Sequence, residues 1–188
     1  SRLLFSIFKE LSRFDDVVVL AHSEDRSLSR GGVMHEGRWS KLLKQPGIPA
    51  VAESIAVARD ILLAEAAGIR LHLCHISTAA AVEWVAWAKA KGLPVTAEVT
   101  PHHLLLSDAA VERCGALAKV NPPLRSEEHV AALREAVASG LVDCIATDHA
   151  PHHVESKDCE YGAAAFGISG LETAVALIMD RLVNTGAL

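Results

Sequence analysis

The stretch that decides the fold is Val17-Val18-Val19-Leu20-Ala21, which runs directly into His22. Five consecutive apolar residues, with no polar residue between them, predict a short strand that is buried on both faces. Strands of this kind are typical of a parallel sheet that is covered by helices. The stretch therefore predicts an α/β fold, with a polar side chain placed where the strand ends.

Three further β-rich runs follow, and helical patterns lie between them. The predicted strands are residues 17–21, 70–74, 94–99 and 143–147, and the predicted helices are residues 2–12, 50–67, 79–91, 127–139 and 170–182. Gly68, Gly92 and Gly140 each follow a helical run, at the point where a left-handed residue commonly ends a helix. The chain is therefore predicted to be a βα repeat.

A doubly wound sheet and a TIM-type barrel both contain such repeats, and the polar residues favour the barrel. His22, His75, the stretch 100–103 and Asp148 each come at or just after the end of a predicted strand. In a barrel these strand ends converge on one mouth, which holds the active site. A full barrel has eight βα units in about 250 residues. The sequence therefore predicts half of a (β/α)8 barrel, about four βα units, as one domain over residues 1–188.

Composition excludes several classes of partner. Of the 188 residues, 51% are hydrophobic, and a net charge of -5 without a basic cluster argues against nucleic-acid and anionic-membrane partners. No run of about 18 apolar residues predicts a membrane span. The four cysteines contain no CxxC pair and are expected to be reduced. We expect a cytoplasmic protein that acts on a small molecule.

Three residues form a candidate metal site. A single histidine at a strand end is more often a structural residue than a ligand, and a single aspartate there is commonly a helix cap. His22, His75 and Asp148, however, follow three different strands that share the predicted mouth. Imidazole and carboxylate ligands suit Zn²⁺ or a similar metal. The set therefore predicts a metal site at the mouth.

Strand geometry separates these residues from other histidines. Successive strand side chains point to opposite faces, so His72 and His75 are not expected to face one site. The same alternation would separate His102 from His103, and neither is assigned as a ligand. His152 follows Asp148 by four residues in a proline-containing loop that can turn back over the mouth.

Several longer motifs carry a resemblance to a known family. In chain order they are Ala21-His22-Ser23-Glu24-Asp25, Cys74-His75-Ile76-Ser77-Thr78, Glu98-Val99-Thr100-Pro101-His102-His103, Lys119-Val120-Asn121-Pro122-Pro123-Leu124-Arg125, Ala146-Thr147-Asp148-His149-Ala150-Pro151-His152 with Lys157, Phe166-Gly167, and Gly170-Leu171-Glu172-Thr173. Together they resemble the bacterial single-function dihydroorotases of the amidohydrolase superfamily, and they cover nearly the whole chain. The resemblance places the chain in the C-terminal half of the catalytic barrel. His35 and Ser23 depart from the family, which often has Asn and Cys there.

The resemblance implies a function and a role for each matched residue. The implied reaction is the reversible cyclisation of N-carbamoyl-L-aspartate to L-dihydroorotate in de novo pyrimidine (UMP) biosynthesis, at a site with two zinc ions. His22 and His75 would ligate the more buried ion. Asp148 would ligate the other ion and act as the general acid/base. Substrate-binding roles fall on Asn121, His152, Phe166 and Gly167.

The resemblance also implies groups that these 188 residues lack. The family's first strand carries an HxH pair, and no HxH occurs here. The N-terminal half-barrel and a flanking β-sandwich are therefore expected outside this sequence, and zinc is expected to be partial or absent in this part alone. The implied partners are a second copy in a homodimer and an aspartate transcarbamoylase. Two alternatives stay open, a hydantoinase or allantoinase and a non-catalytic dihydroorotase-like assembly subunit.

Overall fold

A four-stranded parallel sheet forms the centre of the chain in the computed structural model, which describes all 188 residues. The strands are β1 (Val18–Ala21), β2 (Met34–His35), β3 (Gly47–Ile48), β4 (Arg70–Leu73), β5 (Val95–Val99) and β6 (Cys144–Ile145). The central sheet has the order β1-β4-β5-β6, and β2 pairs with β3 in a separate two-stranded sheet. Every pair of neighbouring strands is parallel. The predicted α/β fold is confirmed.

Helices connect the parallel strands. They are α1 (Arg2–Leu11), α2 (Arg26–Ser29), α3 (Arg38–Leu42), α4 (Val51–Ala67), α5 (Ala79–Ala90), α6 (Pro101–Leu105), α7 (Ala110–Cys114), α8 (Glu127–Ala138), α9 (Val154–Lys157) and α10 (Ala174–Ile178). A 3-10 turn at Gly115–Ala118 follows α7, and a π-helical turn at Met179–Val183 follows α10. None of the helices has the length and apolar character that crossing a bilayer requires.

The two faces of the central sheet differ. Leu71, Leu73 and Val99 point toward the helices and belong to a buried apolar core. Because strand side chains alternate, Val18 and Leu20 point to the other face, where they are 39% and 69% exposed. We call this second face the open face. The strands at its two edges are β1 and β6, which are the edges expected from half of a barrel.

The structure corrects three details of the prediction. The last predicted helix, residues 170–182, begins only at Ala174, because the backbone N–H groups of Gly170 and Leu171 donate to His149 Nδ1 instead. The predicted strand 143–147 is regular only over β6, since Asp148 turns the chain with a φ of 44°. His102 and His103 lie in helix α6, so the alternation expected of a strand does not apply to them.

Candidate active site

The predicted metal ligands His22 and His75 lie side by side at the C-terminal end of the sheet. His22 follows β1 directly, and His75 comes two residues after its neighbour β4. Their side chains approach through ring nitrogens, with His22 Nδ1 3.1 Å from His75 Nε2. The rings meet edge to face, with centroids 4.6 Å apart. The sheet thus brings two imidazoles together at its mouth.

His75 is held in an unusual backbone conformation. Its φ is 36°, in the left-handed region that non-glycine residues seldom adopt. The backbone N–H of His75 donates to Glu98 Oε1 at 3.3 Å, which ties the turn to β5. Outliers of this kind cluster at functional sites, where surrounding contacts maintain them. The turn therefore directs the His75 ring toward His22.

Asn121 lies next to the histidine pair. Its Nδ2 is 3.4 Å from His22 Nε2, although 99 residues separate the two in the sequence. An amide nitrogen only donates, so in this contact His22 Nε2 accepts and His22 Nδ1 carries the proton. A residue predicted to bind substrate is thus within reach of a predicted metal ligand.

Asp148 lies at the same mouth without touching the histidines through a direct hydrogen bond. It is half-buried, follows β6 by three residues and has a φ of 44°. Burial, and secondly the neighbouring His75, lower the pKa of His22, whereas the negative charge of Asp148 acts in the opposite direction. A lowered pKa keeps the imidazole of His22 neutral, the form that binds metals.

A buried carboxylate supports the turn that carries His75. Glu53 of α4 is 4% exposed, and its Oε1 accepts from the backbone N–H groups of Ser77 and Thr78 and from Thr78 Oγ1, each at 2.9 Å. Ser77 Oγ also donates to Glu53 Oε2. Arg125, which is 2% exposed, places Nη2 3.7 Å from the same Oε2. The turn at residues 75–78 is therefore held in place by the buried ion pair of Glu53 and Arg125.

Arg125 extends this support to the small sheet. Its Nε donates to Ser77 Oγ at 3.0 Å, and its Nη1 donates to the Ile48 carbonyl at 3.1 Å. The same Nη1 is 3.3 Å from His35 Nδ1. Burial, together with the charge of Arg125, lowers the pKa of His35 to about 4. His35 is therefore a neutral acceptor for Arg125 at neutral pH.

The loop after β6 brings three predicted substrate residues together. His152 Nε2 is 2.8 Å from the Phe166 carbonyl oxygen. Gly167 has a φ of 150°, and a Cβ at this position would lie 2.8 Å from the His152 ring and 2.5 Å from the Ala150 carbonyl oxygen. Only glycine permits this approach. His152, Phe166 and Gly167 therefore form one local unit.

Two lysines anchor that unit to the chain near Asn121. Lys157 Nζ donates to the carbonyls of Lys119 and Ala165 at 3.0 and 2.9 Å. Lys119, which is 2% exposed, donates from Nζ to the carbonyls of Tyr161 and Gly162. The Gly167 N–H donates in turn to the Lys119 carbonyl at 2.9 Å. The loop therefore has a fixed position relative to Asn121.

His102 and His103 lie beneath the mouth and are buried. His103 Nδ1 is 2.8 Å from Thr100 Oγ1, and its Nε2 is 2.9 Å from the Pro122 carbonyl oxygen. Burial lowers the pKa of His103 to about 3, and burial with the neighbouring His103 lowers that of His102 to about 2. The contacts of His103 make it a structural residue, in agreement with its exclusion from the predicted ligands.

The three predicted ligands do not form the tightest cluster of metal-binding side chains. That cluster is His72, Glu98 and Cys144, whose ligand atoms all lie within 4.8 Å of one another. Strand alternation excludes His72 from the predicted site, and no motif in the sequence connects it with Glu98 or Cys144. The supporting pair of Glu53 and Arg125 was also missed, because no short motif joins positions that are distant in the sequence.

Comparison with known proteins shows which sequences the chain is similar to. Residues 2–81 match the family described as Dihydro-orotase-like. The chain is 55% identical over 171 residues to the dihydroorotase of Streptomyces coelicolor and 57% identical over 172 residues to that of Pelotomaculum thermopropionicum. These alignments cover 91% and 92% of this chain but 40% of each relative. The chain thus spans less than half the length of these relatives.

Solved structures show the same fold. The L-hydantoinase (dihydropyrimidinase) of Arthrobacter aurescens superimposes with a TM-score of 0.83 at 31% identity, over 98% of this chain and 42% of that protein. The dihydropyrimidinase of Brevibacillus agri superimposes with a TM-score of 0.81 at 24% identity, over the same shares. Both are amidohydrolase barrels, of which this chain matches a part. The chain is similar to dihydroorotases along most of its length, and its fold matches part of the TIM-type barrel of amidohydrolases.

Proposed function

We propose that the protein containing this chain is a dihydroorotase, which interconverts N-carbamoyl-L-aspartate and L-dihydroorotate in de novo pyrimidine biosynthesis. The observation that carries the proposal is the 3.1 Å approach of His22 Nδ1 to His75 Nε2 at the mouth of the sheet. The identity of 55% to a dihydroorotase supports the choice of this reaction over that of other cyclic amidohydrolases. The remainder of the protein would supply the N-terminal half-barrel and a flanking β-sandwich.

The donor atoms at the mouth fit a metal ion. Two imidazole nitrogens face each other, and His75 Nδ1 is buried without a hydrogen-bond partner. Zinc suits a set of histidine and carboxylate ligands. We assign His22 and His75 to one Zn²⁺ and Asp148 to a second, with the other ligands in the remainder of the protein. When bound, the ions lower the pKa of a water molecule toward neutrality and polarise the amide carbonyl.

Asp148 is the proposed general acid/base. Its carboxylate accepts the proton of the attacking water and returns it to the amide nitrogen as the ring opens. In the cyclisation direction the same carboxylate removes the proton from the attacking nitrogen. A positioned acid/base of this kind contributes about 10²–10⁴-fold to the rate. The backbone turn at Asp148, with its φ of 44°, would aim the carboxylate into the mouth.

We assign substrate binding to Asn121 and to the loop that carries His152, Phe166 and Gly167. Asn121 would donate its amide N–H to the substrate, since its Nδ2 lies at the mouth, 3.4 Å from His22 Nε2. His152 would fix the Phe166-Gly167 backbone through its contact with the Phe166 carbonyl. Fixed geometry accelerates the reaction because the reacting groups are held together before bond formation.

The proposal extends to the surroundings of the enzyme. We propose a cytoplasmic homodimer that associates with an aspartate transcarbamoylase, whose product, N-carbamoyl-L-aspartate, is the substrate here. Analytical ultracentrifugation of the full-length protein with and without that enzyme tests both associations. A monomer that sediments independently of the transcarbamoylase would contradict them.

A substrate panel tests the reaction. The full-length protein is expected to hydrolyse L-dihydroorotate and to release much less product from hydantoin, dihydrouracil or allantoin. Preference for hydantoin or dihydrouracil would favour the hydantoinase alternative. No turnover of any of these in zinc-loaded, folded protein would favour the non-catalytic subunit.

A further inference from the structure

We propose a second transition-metal site, separate from the mouth, formed by His72, Glu98 and Cys144 on the open face of the sheet. The three residues belong to β4, β5 and β6, which are adjacent parallel strands. Their ligand atoms lie within 4.8 Å of one another. The site would take Zn²⁺ or a similar borderline metal, which accepts nitrogen, oxygen and sulfur ligands together.

Register explains why these three side chains meet. Glu98 lies beside Cys144 in the pairing of β5 with β6, and His72 lies beside Thr96 in the pairing of β4 with β5. Glu98 is two residues beyond Thr96 and therefore points to the same face. The three ligands are thus fixed by strands, which hold side chains more precisely than loops do.

The separations suit one small ion. His72 Nε2 is 3.0 Å from Glu98 Oε2. Two ligands of a tetrahedral zinc ion, each at about 2.0–2.1 Å, lie roughly 3.3 Å apart. Cys144 is a free thiol, so rotation about its Cα–Cβ bond can bring the sulfur toward the ion. Three protein ligands leave a fourth position for water.

His72 is already oriented as a metal ligand would be. Its Nδ1 is 2.8 Å from Thr96 Oγ1. When Nδ1–H donates to that hydroxyl oxygen, Nε2 is unprotonated, and a cation can bind to Nε2 and to Glu98 Oε2 together. Ligating histidines generally donate their second ring nitrogen to such an outer partner, which fixes the tautomer.

The position of the cluster strengthens the proposal. In a closed barrel the open face becomes the interior, which bulky branched apolar side chains normally fill. His72 and Glu98 are half-buried even on the open face. A cation in such an interior needs anionic ligands to compensate its charge, and the Glu98 carboxylate and the Cys144 thiolate would supply them beside the His72 imidazole. Glu98 Oε1 also accepts from the His75 backbone, so an ion here would brace the turn at the mouth.

Cobalt provides a probe that distinguishes this site from the mouth. The mouth residues His22, His75 and Asp148 contain no sulfur, so a thiolate-to-cobalt charge-transfer band reports on a cysteine ligand. Metal-free full-length protein is titrated with Co²⁺ and followed by absorbance. We expect a saturable band that Cys144→Ser abolishes and that Cys74→Ser, a thiol just beyond β4, retains. Thr96→Val should weaken Co²⁺ binding about 10–100-fold by removing the partner of His72.

A second measurement covers the case in which a variant does not fold. Site-resolved mass spectrometry follows alkylation of Cys144 in the parent protein, and Co²⁺ or Zn²⁺ should slow it while the rate at exposed Cys159 stays the same. Absence of the band together with unchanged alkylation of Cys144 would overturn the proposal. A band that survives Cys144→Ser would overturn it as well. Neither outcome depends on hydrolysis of dihydroorotate. The metal site can therefore be disproved without disproving the proposed function, and the reverse also holds.

Discussion

His22 and His75 place two ring nitrogens 3.1 Å apart although 53 residues separate them in the sequence. Strand pairing explains the approach, because Ala21 of β1 lies beside Leu73 of β4 and the chain leaves both strands at the same edge. The positive φ of His75 then turns its ring toward His22. The pair therefore depends on the contacts that maintain the turn after β4.

Glu53→Gln should destabilise the protein strongly. The substitution removes the negative charge that faces the buried guanidinium of Arg125, and breaking a buried ion pair in this way costs about 3–5 kcal/mol. Denaturant unfolding of the full-length protein measures the loss. Glu65→Gln is the matched control, because its exposed pair with Lys91 contributes no more than about 1 kcal/mol. Equal effects of the two substitutions would contradict the role of Glu53.

His152→Ala should impair catalysis and leave the zinc content unchanged. The substitution frees the Phe166 carbonyl, and a displacement of about 1 Å in positioning groups can lower the rate about 10²-fold. Steady-state kinetics with dihydroorotate and elemental analysis of the same sample provide the two readouts. His153→Ala, at the exposed neighbouring position, is the control and should behave as the parent. Loss of zinc in His152→Ala would make it a ligand instead.

Acid should destabilise the metal-free protein. Burial lowers the pKa of His35 from 6.5 to about 4 in the folded state, so below pH 6.5 the unfolded chain takes up a proton that the folded chain does not. His35 therefore does not reduce the free energy of unfolding above pH 6.5. As the pH falls from 6.5 toward 4, the free energy of unfolding decreases by about 1.4 kcal/mol per pH unit.

The variant His35→Asn isolates this contribution. Asparagine does not titrate, so the slope of unfolding free energy against pH between 6.5 and 4 should decrease by one proton. Denaturant unfolding in a series of buffers measures the slope. Buried His102 and His103 contribute in the same direction, so the variant should keep part of the dependence. An unchanged slope would show that His35 is not buried as described.

These 188 residues, produced alone, should associate or remain partly unfolded. The open face exposes Leu20 to 69%, and β1 and β6 have unpaired edges. Unpaired edges recruit further strands. Each 100 Å² of apolar surface left exposed to water lowers the stability of the fold by roughly 2.5 kcal/mol. Sedimentation with a recorded thermal melt is the measurement. A monomer that melts cooperatively would contradict this account of what stabilises the chain.

Sequence reasoning located the strands and the mouth because these depend on local patterns. An apolar run such as residues 17–21 marks a strand wherever it occurs, and the polar residue that follows it falls at the strand end. The pairing of Glu53 with Arg125 depends instead on how α4 packs beneath the turn after β4. Such contacts between distant segments have no signature in one sequence.

The histidines also make contacts that the sequence does not predict, in this case between adjacent strands. Alternation assigned His72 to a different face from His75 and gave no reason to connect it with Glu98 and Cys144. Parallel register brings those three together across adjacent strands. The register of two paired strands cannot be predicted from the sequence of either strand alone. The prediction that His102 and His103 alternate as strand residues is wrong because Thr100 caps α6, where its hydroxyl accepts from the His103 N–H.

Turnover of L-dihydroorotate by the Asp148→Asn variant of the full-length protein is the most direct test of the proposed active site. Loss of the acid/base should lower kcat by about 10²–10⁴-fold, with the fold retained by circular dichroism. Asp158→Asn, at an exposed position directly after α9, should retain the parent rate. Parent-level turnover in Asp148→Asn would contradict the assignment of this mouth as the site of the reaction.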